Sequence, residues 1–337
     1  MSFRSQAAPR WSASAPVDSG EPATHHDTVD RIALSFEIIP PRWGNETDVA
    51  ALDHLLAELA VYYPDYVCVT SSQRSGWLDG TAALIERITA TTRMRPVAHL
   101  ACTTGPAEEL TRGVNRLIDA GVRGILALRG DLPAGQDRLP AGYLPYATDL
   151  VRVIRAVEAR QAARFAAGSL AVGVACYPLG HAESPTPEQD FDVLLTKQRL
   201  GATFAITQLF FDAGDYLSFV RKARLAGVTI PLIPGIMPMT SVARLERMGR
   251  LAGIAVPERL RRTLSEAAEI SPAAEHEAGL RATVDLARAC LAGGAGGLHL
   301  YTHNDAELTH ELLARIGVMP GVSHYDALAG VALPTAC

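Results

Sequence analysis

The chain has 337 residues, 48% of them hydrophobic and 20% charged, which suits a globular protein with a large core and excludes a disordered, collagen-like or disulfide-scaffolded chain. Its 31 basic and 36 acidic residues leave a net charge of −5, so the electrostatic footprint of a nucleic-acid-binding protein is missing. The length fits either two average domains or one α/β barrel.

Residues 1–30 are polar and rich in Ser, Pro and Ala, and read as a flexible N-terminal tail without an apolar signal segment. From there short apolar runs alternate with segments of helical period. The expected strands are IALSFEII (32–39), DYVCVT (65–70), PVAHLAC (96–102), GILALRG (124–130), LAVGVACY (170–177), TFAITQLF (203–210), IPLIPGI (230–236) and GLHLYT (297–302). TDVAALDHLLAELA (47–60) carries apolar residues every three or four positions. PAEELTRGVNRLIDAG (106–121) has Pro at its start, acids in its first turn and Gly at its end, the signals of a complete helix. Residues 240–295 leave room for two or three helices before the last strand, and GGAGG (293–297) reads as a turn.

Eight strands alternating with helices imply parallel pairing through right-handed crossovers. Continuous apolar strands fit burial on both faces. The expectation is α/β: a single (β/α)8 TIM-type barrel over 31–320, with tails at 1–30 and 321–337. Five scattered cysteines without a CxxC pair point to a reducing, cytoplasmic setting. No run reaches membrane-spanning length, and no coiled-coil pattern marks a subunit interface.

In such a barrel functional groups gather at the C-terminal ends of the strands. Those ends supply Glu37, Thr70, His99, Arg129-Gly130-Asp131, Tyr177 with His181, Gln208, and Tyr301-Thr302-His303. Glu37, between Phe36 and Ile38, is expected to be desolvated, to have a raised pKa and to act as a general acid. The plainer alternative is a strand-end acid paired with an arginine. Asp131 suits stabilisation of a developing positive charge, or else caps a turn. Gln208 suits a flat amide-bearing heterocycle, since it both donates and accepts. A metal-dependent hydrolase built on Glu37, His99, Asp131, His181 and His303 is the rival. It lacks an HxH pair on strand one and an HExxH helix, so no metal ligand is assigned. No GxGxxG follows strand one either.

SFEIIPPR (35–42), HLAC (99–102), LALRGDLP (126–133), YATDL (146–150), VGVACYPLGH (172–181), ITQLFFD (206–212) and IPGIMP (233–238) occur in the order and spacing of a known family. On these segments the chain resembles the methylenetetrahydrofolate reductase family, over its catalytic barrel only. The resemblance implies a (β/α)8 barrel that reduces 5,10-methylenetetrahydrofolate to 5-methyltetrahydrofolate with electrons from NAD(P)H, NADH favoured, relayed in the family by FAD at the barrel mouth. It implies that Glu37 assists ring opening to a 5-iminium cation, that Asp131 stabilises that cation, and that Gln208 and Tyr301 hold the substrate. Thr70, His99, Arg129, Gly130, Asp131, Tyr146, Ala147, Tyr177, His181, Asp190 and Lys197 match flavin-contacting positions.

Several positions depart from the family pattern. Its glycine-containing loop after strand two is here Thr70-Ser71-Ser72-Gln73-Arg74, which removes a close backbone approach and adds bulk. Val193 replaces an asparagine, Ala101 a threonine, and Ile38-Ile39 a Phe-Phe pair. Arg244 and Met248 replace a glutamine and a phenylalanine, and Asp305 replaces an arginine that would face the folate carboxylate. The altered loop sets direct hydride transfer from the nicotinamide, without a tightly bound flavin, beside the FAD relay. A noncatalytic folate-binding paralogue is the rival from outside the enzymes.

Overall fold

The computed structural model describes residues 32–72, 75–132, 135–136 and 138–320. The expected tails lie outside the described residues, as do Gln73 and Arg74 of the altered loop. The strands are β1 (Ala33–Ile38), β2 (Tyr66–Val69), β3 (Pro96–Ala101), β4 (Gly124–Leu128), β5 (Ala171–Cys176), β6 (Phe204–Thr207), β7 (Leu232–Ile233), β8 (Gly235–Ile236) and β9 (Gly297–Tyr301). All pair in parallel, in the order β7-β6-β5-β4-β3-β2-β1-β9-β8. Each lies within a run expected from the sequence.

The split of the seventh strand explains how nine segments make an eight-strand barrel. Pro234 has no N–H to donate to a ladder. β7 pairs with β6, β8 pairs with β9, and the carbonyl of Pro234 between them accepts the His299 N–H at 3.0 Å. One strand thus hands over from one neighbour to the other, and the sheet closes.

The helices are α1 (Glu46–Ala60), α2 (Trp77–Thr91), α3 (Ala107–Asp119), α4 (Ala147–Arg160), α5 (Pro187–Arg199), α6 (Ala213–Leu225), α7 (Val242–Ala252), α8 (Glu258–Ile270), α9 (Pro272–Ala292) and α10 (Ala306–Ile316). Their starts follow local chemistry. Asn45, Asp212, Ser241, Ser271 and Asp305 cap α1, α6, α7, α9 and α10 by accepting first-turn N–H groups. The long connection before the last strand holds three helices, α7 to α9. None of the helices among the described residues is long and apolar enough to cross a membrane.

Strand alternation sorts the core into two layers. Leu34, Phe36 and Ile38 of β1 point outward and are buried against the helices together with Leu55, Leu59 and Leu312. The inner layer is smaller: Tyr66, Cys68, Val97, Leu126, Ala171, Phe204, Ile206 and Ile233 fill the barrel itself. Tyr66 and Phe204 stack inside it with ring centroids 5.7 Å apart. Phe204 fits because Gly173 lacks a side chain, since a Cβ there would stand 2.5 Å from the phenyl ring. A rigid ring held by a stacking partner cannot give way cheaply.

Gly173→Ala is therefore expected to cost about 1–3 kcal/mol through overpacking. Denaturant titration of G173A, and of G173A combined with F204L, checks this; the smaller side chain at 204 should recover part of the loss.

Candidate functional site

The mouth of the barrel, at the C-terminal ends of the strands, has two polar halves. The first is built on β1, β3 and β9. Inward alternation on β1 presents Ser35 and Glu37, on β3 His99, and on β9 His299 and Tyr301. Glu37 is half-buried, and its Oε2 lies 3.6 Å from His99 Nε2 and 3.9 Å from His299 Nε2. These are electrostatic contacts, each just too long for a hydrogen bond. His299 is held from below by a 2.9 Å contact between its Nδ1 and Ser35 Oγ. His99 Nε2 is buried and has no hydrogen-bond partner.

The electrostatics of Glu37 differ from the expectation of a raised pKa. Burial does push the carboxyl up, but the imidazoles of His299, His99 and His303 outweigh it and hold the group below the ordinary carboxylate range. The apolar residues flanking Glu37 in sequence, Phe36 and Ile38, face the helices, so they do not surround the carboxyl. The partners are histidines rather than the arginine of the plainer reading. His99 is itself shifted down, chiefly by burial, so its neutral form is favoured.

Tyr301 stands beside Glu37 in register and packs edge-on against His299, with centroids 5.2 Å apart. Its hydroxyl donates to the Thr207 carbonyl at 3.0 Å, and burial raises its pKa well above the usual value. Tyr301 therefore presents its ring, not its hydroxyl. Thr302 donates to the Glu37 carbonyl at 2.6 Å and ties the end of β9 to β1.

The second half is a cavity of about 700 Å³ bounded by the loops after β4, β5 and β6 and by the α7–α8 connection. Asp131, Tyr177, His181, Asp190 and Gln208 line it, so five of the expected residues meet in one space. Asp131 is exposed at its edge. Gln208 accepts its neighbour Leu209 N–H at 2.9 Å, which leaves the NH2 end to donate. Tyr177 packs edge-on with His181 at 4.6 Å, and burial pushes its phenol up to about 12. Gly130 adopts φ +80°, and a Cβ there would stand 2.1 Å from Thr103 Oγ1, so only glycine carries the chain past this point.

Other matched positions are committed within the protein. Arg129 forms a two-pronged ion pair with Glu183, one arm at 2.8 Å. Lys197, on α5, is buried in the barrel wall and donates to the Ala175 carbonyl at 3.0 Å; burial lowers its pKa, opposed by Cys176 and Asp190. Asp190 accepts the His181 N–H at 2.8 Å and the Ser184 hydroxyl at 2.5 Å. Both cations that match flavin positions are thus engaged by the chain. Thr70 accepts the Thr81 hydroxyl through its carbonyl, Ala147 is core, and Tyr146 is exposed at the start of α4. Among the described residues no group of three or more His, Cys, Asp or Glu side chains is arranged to hold a metal ion.

Sequence reasoning passed over His299, Ser35 and Glu183. The first two were within reach. His299 lies two residues before Tyr301 and Ser35 two before Glu37, so strand period places each pair on the same inner face. Glu183 lies in an irregular loop with no local signal.

The methylenetetrahydrofolate reductase family model matches residues 23–317. A "5,10-methylenetetrahydrofolate reductase" of Pectobacterium carotovorum subsp. carotovorum is 31% identical, covering 87% of this chain and 93% of its own. A "Probable methylenetetrahydrofolate reductase (NADH)" of Oryza sativa subsp. japonica is 30% identical over 86% of this chain and 49% of its own. Among solved structures, an uncharacterized Clostridium thermocellum protein that binds two copies of 5-methyl-5,6,7,8-tetrahydrofolic acid superposes with a TM-score of 0.55 at 16% identity, covering 83% of this chain and 94% of that one, a likeness of fold.

Buried imidazoles make the fold sensitive to acid. The pKa values of His99 and His303 are lowered from 6.5, mainly by burial, so below pH 6.5 the unfolded chain binds protons that the folded chain resists. Stability should fall as pH drops from 6.5 through the lowered folded values. The lowered pKa of Glu37 adds stability that persists above 4.5 and is lost below it. Melting temperatures across pH 8 to about 5 test this, with His99→Asn expected to flatten the slope below neutrality.

Proposed function

The chain belongs to the methylenetetrahydrofolate reductase family, and from that premise we propose that it reduces 5,10-methylenetetrahydrofolate to 5-methyltetrahydrofolate with NADH, by direct hydride transfer. The observation that carries the reading is the Glu37 carboxyl set among His99, His299 and His303 at the barrel mouth, beside a cavity lined by Asp131 and Gln208.

The reaction takes one hydride and one proton. Opening of the five-membered ring needs a proton on the departing nitrogen and leaves an iminium cation. In the ligand-free protein Glu37 favours its carboxylate form. Substrate lying over the carboxyl adds burial, the same influence that already pushes it up, so the carboxyl takes a proton from solvent as substrate binds and passes it to the departing nitrogen. Asp131, exposed at the cavity edge, supplies negative charge to the iminium. The Gln208 NH2 donates to acceptors on the pterin. Hydride from the nicotinamide then reaches the methylene carbon, giving the methyl group and NAD⁺.

NADH as donor is supported by plant relatives named as NADH enzymes. Transfer without a flavin relay is supported by the committed state of Arg129 and Lys197 and by the lost glycine after β2. Four buried free thiols, Cys68, Cys102, Cys176 and Cys290, suit a cytoplasmic setting.

Glu37→Gln should keep ligand binding and lose turnover by about 10²–10⁴-fold. Steady-state kinetics with binding measured in parallel checks this, and near-normal turnover removes Glu37 from the mechanism. The absorption spectrum of the purified protein should lack a flavin band while NADH oxidation depends on methylenetetrahydrofolate. A stoichiometric flavin band overturns direct transfer. Binding of folate without NADH oxidation, with or without added FAD, establishes the noncatalytic paralogue.

A further inference from the structure

Buried side-chain nitrogens without a hydrogen-bond partner occur, among the described residues, at His99 Nε2, His303 Nε2, and Arg244 Nε and Nη2. All belong to the mouth. His99 faces Glu37. His303 acts on Glu37 only through its charge and Arg244 has no part in the chemistry derived above; the two come from separate elements, the loop after β9 and the first turn of α7.

Arg244 is unusual among the arginines of this fold. Arg155 is also half-buried, but it satisfies itself on Glu158 and on the carbonyls of Leu170 and Gly201. Arg224 donates to the carbonyls of Val228 and Ile230. Arg244 keeps two buried N–H groups unused. The carboxylate that acts on it, Asp305, does so electrostatically, while its Oδ1 caps α10 by accepting the Leu308 N–H at 2.9 Å. A guanidinium stays charged at any ordinary pH, so the fold holds a cation here with two buried nitrogens that no protein group hydrogen-bonds. The α7 N-terminus adds positive potential of its own.

His303 lies within the electrostatic reach of Arg244 and Glu37. Its backbone is left-handed, φ +50°, and Asn304 follows at φ +62°. Non-glycine residues hold such conformations when their surroundings enforce them. Here the Asn304 amide does so, accepting the Ile39 N–H at 2.8 Å and donating to the Ile39 carbonyl at 2.7 Å. The imidazole is thereby fixed at the mouth with Nε2 unused.

We propose that Arg244 and His303 form an oxyanion site that binds a carboxylate or phosphate of the reacting ligands. This rests on the reaction assigned above and adds what anchors a ligand away from the reacting carbon. Two sources carry that chemistry: the glutamate carboxylates of the folate and the phosphates of the dinucleotide.

Equilibrium binding to the full-length protein tests the site, with Arg244→Gln and Arg244→Lys beside the wild type. The probes are 5-methyltetrahydrofolate, its analogue lacking the glutamate, NADH, and the phosphate-free dihydronicotinamide riboside. R244Q should weaken one intact ligand by about 10- to 100-fold, the range of a hydrogen bond to a charged group. The matching truncated ligand should be insensitive to it. R244K should recover part of the loss. Loss confined to the folate pair identifies the carboxylate, and loss confined to the dinucleotide pair identifies the phosphate. The ligand-free R244Q protein should melt at a higher temperature than wild type, since an unpaired buried charge is gone. Unchanged binding of both intact ligands overturns the assignment, as does equal weakening of intact and truncated forms with a lowered melting temperature. Wild-type protein that binds these ligands selectively but oxidises no NADH refutes the reaction while leaving the oxyanion site standing.

Discussion

A sheet closed on itself gives every strand one face toward a space only a few side chains wide, and this constraint governs the molecule. Tyr66, Phe204, Leu126 and their neighbours seal that space. The next inward positions, toward the strand C-termini, cannot be filled with more apolar bulk if a ligand is to reach them. They hold Glu37, His99, His299 and Tyr301 instead. Packing and chemistry are therefore successive layers of one axial stack. The two-residue strand period decides which residues belong to it.

The same enclosure sets the electrostatics. A carboxyl in a dry apolar pocket is pushed toward its neutral form, and a carboxyl among imidazoles is pulled the other way. Glu37 experiences both, and the imidazoles prevail. Elsewhere around the mouth the chain answers its own charges: Arg129 with Glu183, Lys197 with a backbone carbonyl, Asp190 with His181 and Ser184. Arg244 keeps two buried nitrogens without a hydrogen-bond partner. This contrast sets Arg244 apart from the charges that build the rim.

Much of this was legible in the sequence, for reasons that differ by element. The eight strands were readable because a parallel barrel buries both faces of each strand, giving apolar runs such as GILAL and AVGVAC. The gathering of Asp131, Tyr177, His181 and Gln208 followed from their places just beyond strand ends, whereas Asp190, on α5, was reached only through the family resemblance. The charge state of Glu37 was not readable, because Phe36 and Ile38, its sequence neighbours, are its spatial opposites, while His299 lies far along the chain. The split at Pro234 and the pairing of Arg129 with Glu183 escaped for the same reason: each depends on which distant segment lies alongside. Asp305, read as a lost cation, takes a structural place as the cap of α10.

The seam between β1 and β9 joins the two ends of the folded chain. Glu37 takes His299 as a neighbour, its carbonyl takes Thr302, and Ile39 takes Asn304, all contacts across more than 260 positions. Forming them demands the largest loop closure in the barrel, which is slow compared with local helix formation. A chain still emerging from synthesis holds β1 to β6 and most of the cavity but lacks the imidazole and the clamp that complete the surroundings of Glu37. The surroundings of Glu37 are thus complete only once the first and last strands of the barrel are joined.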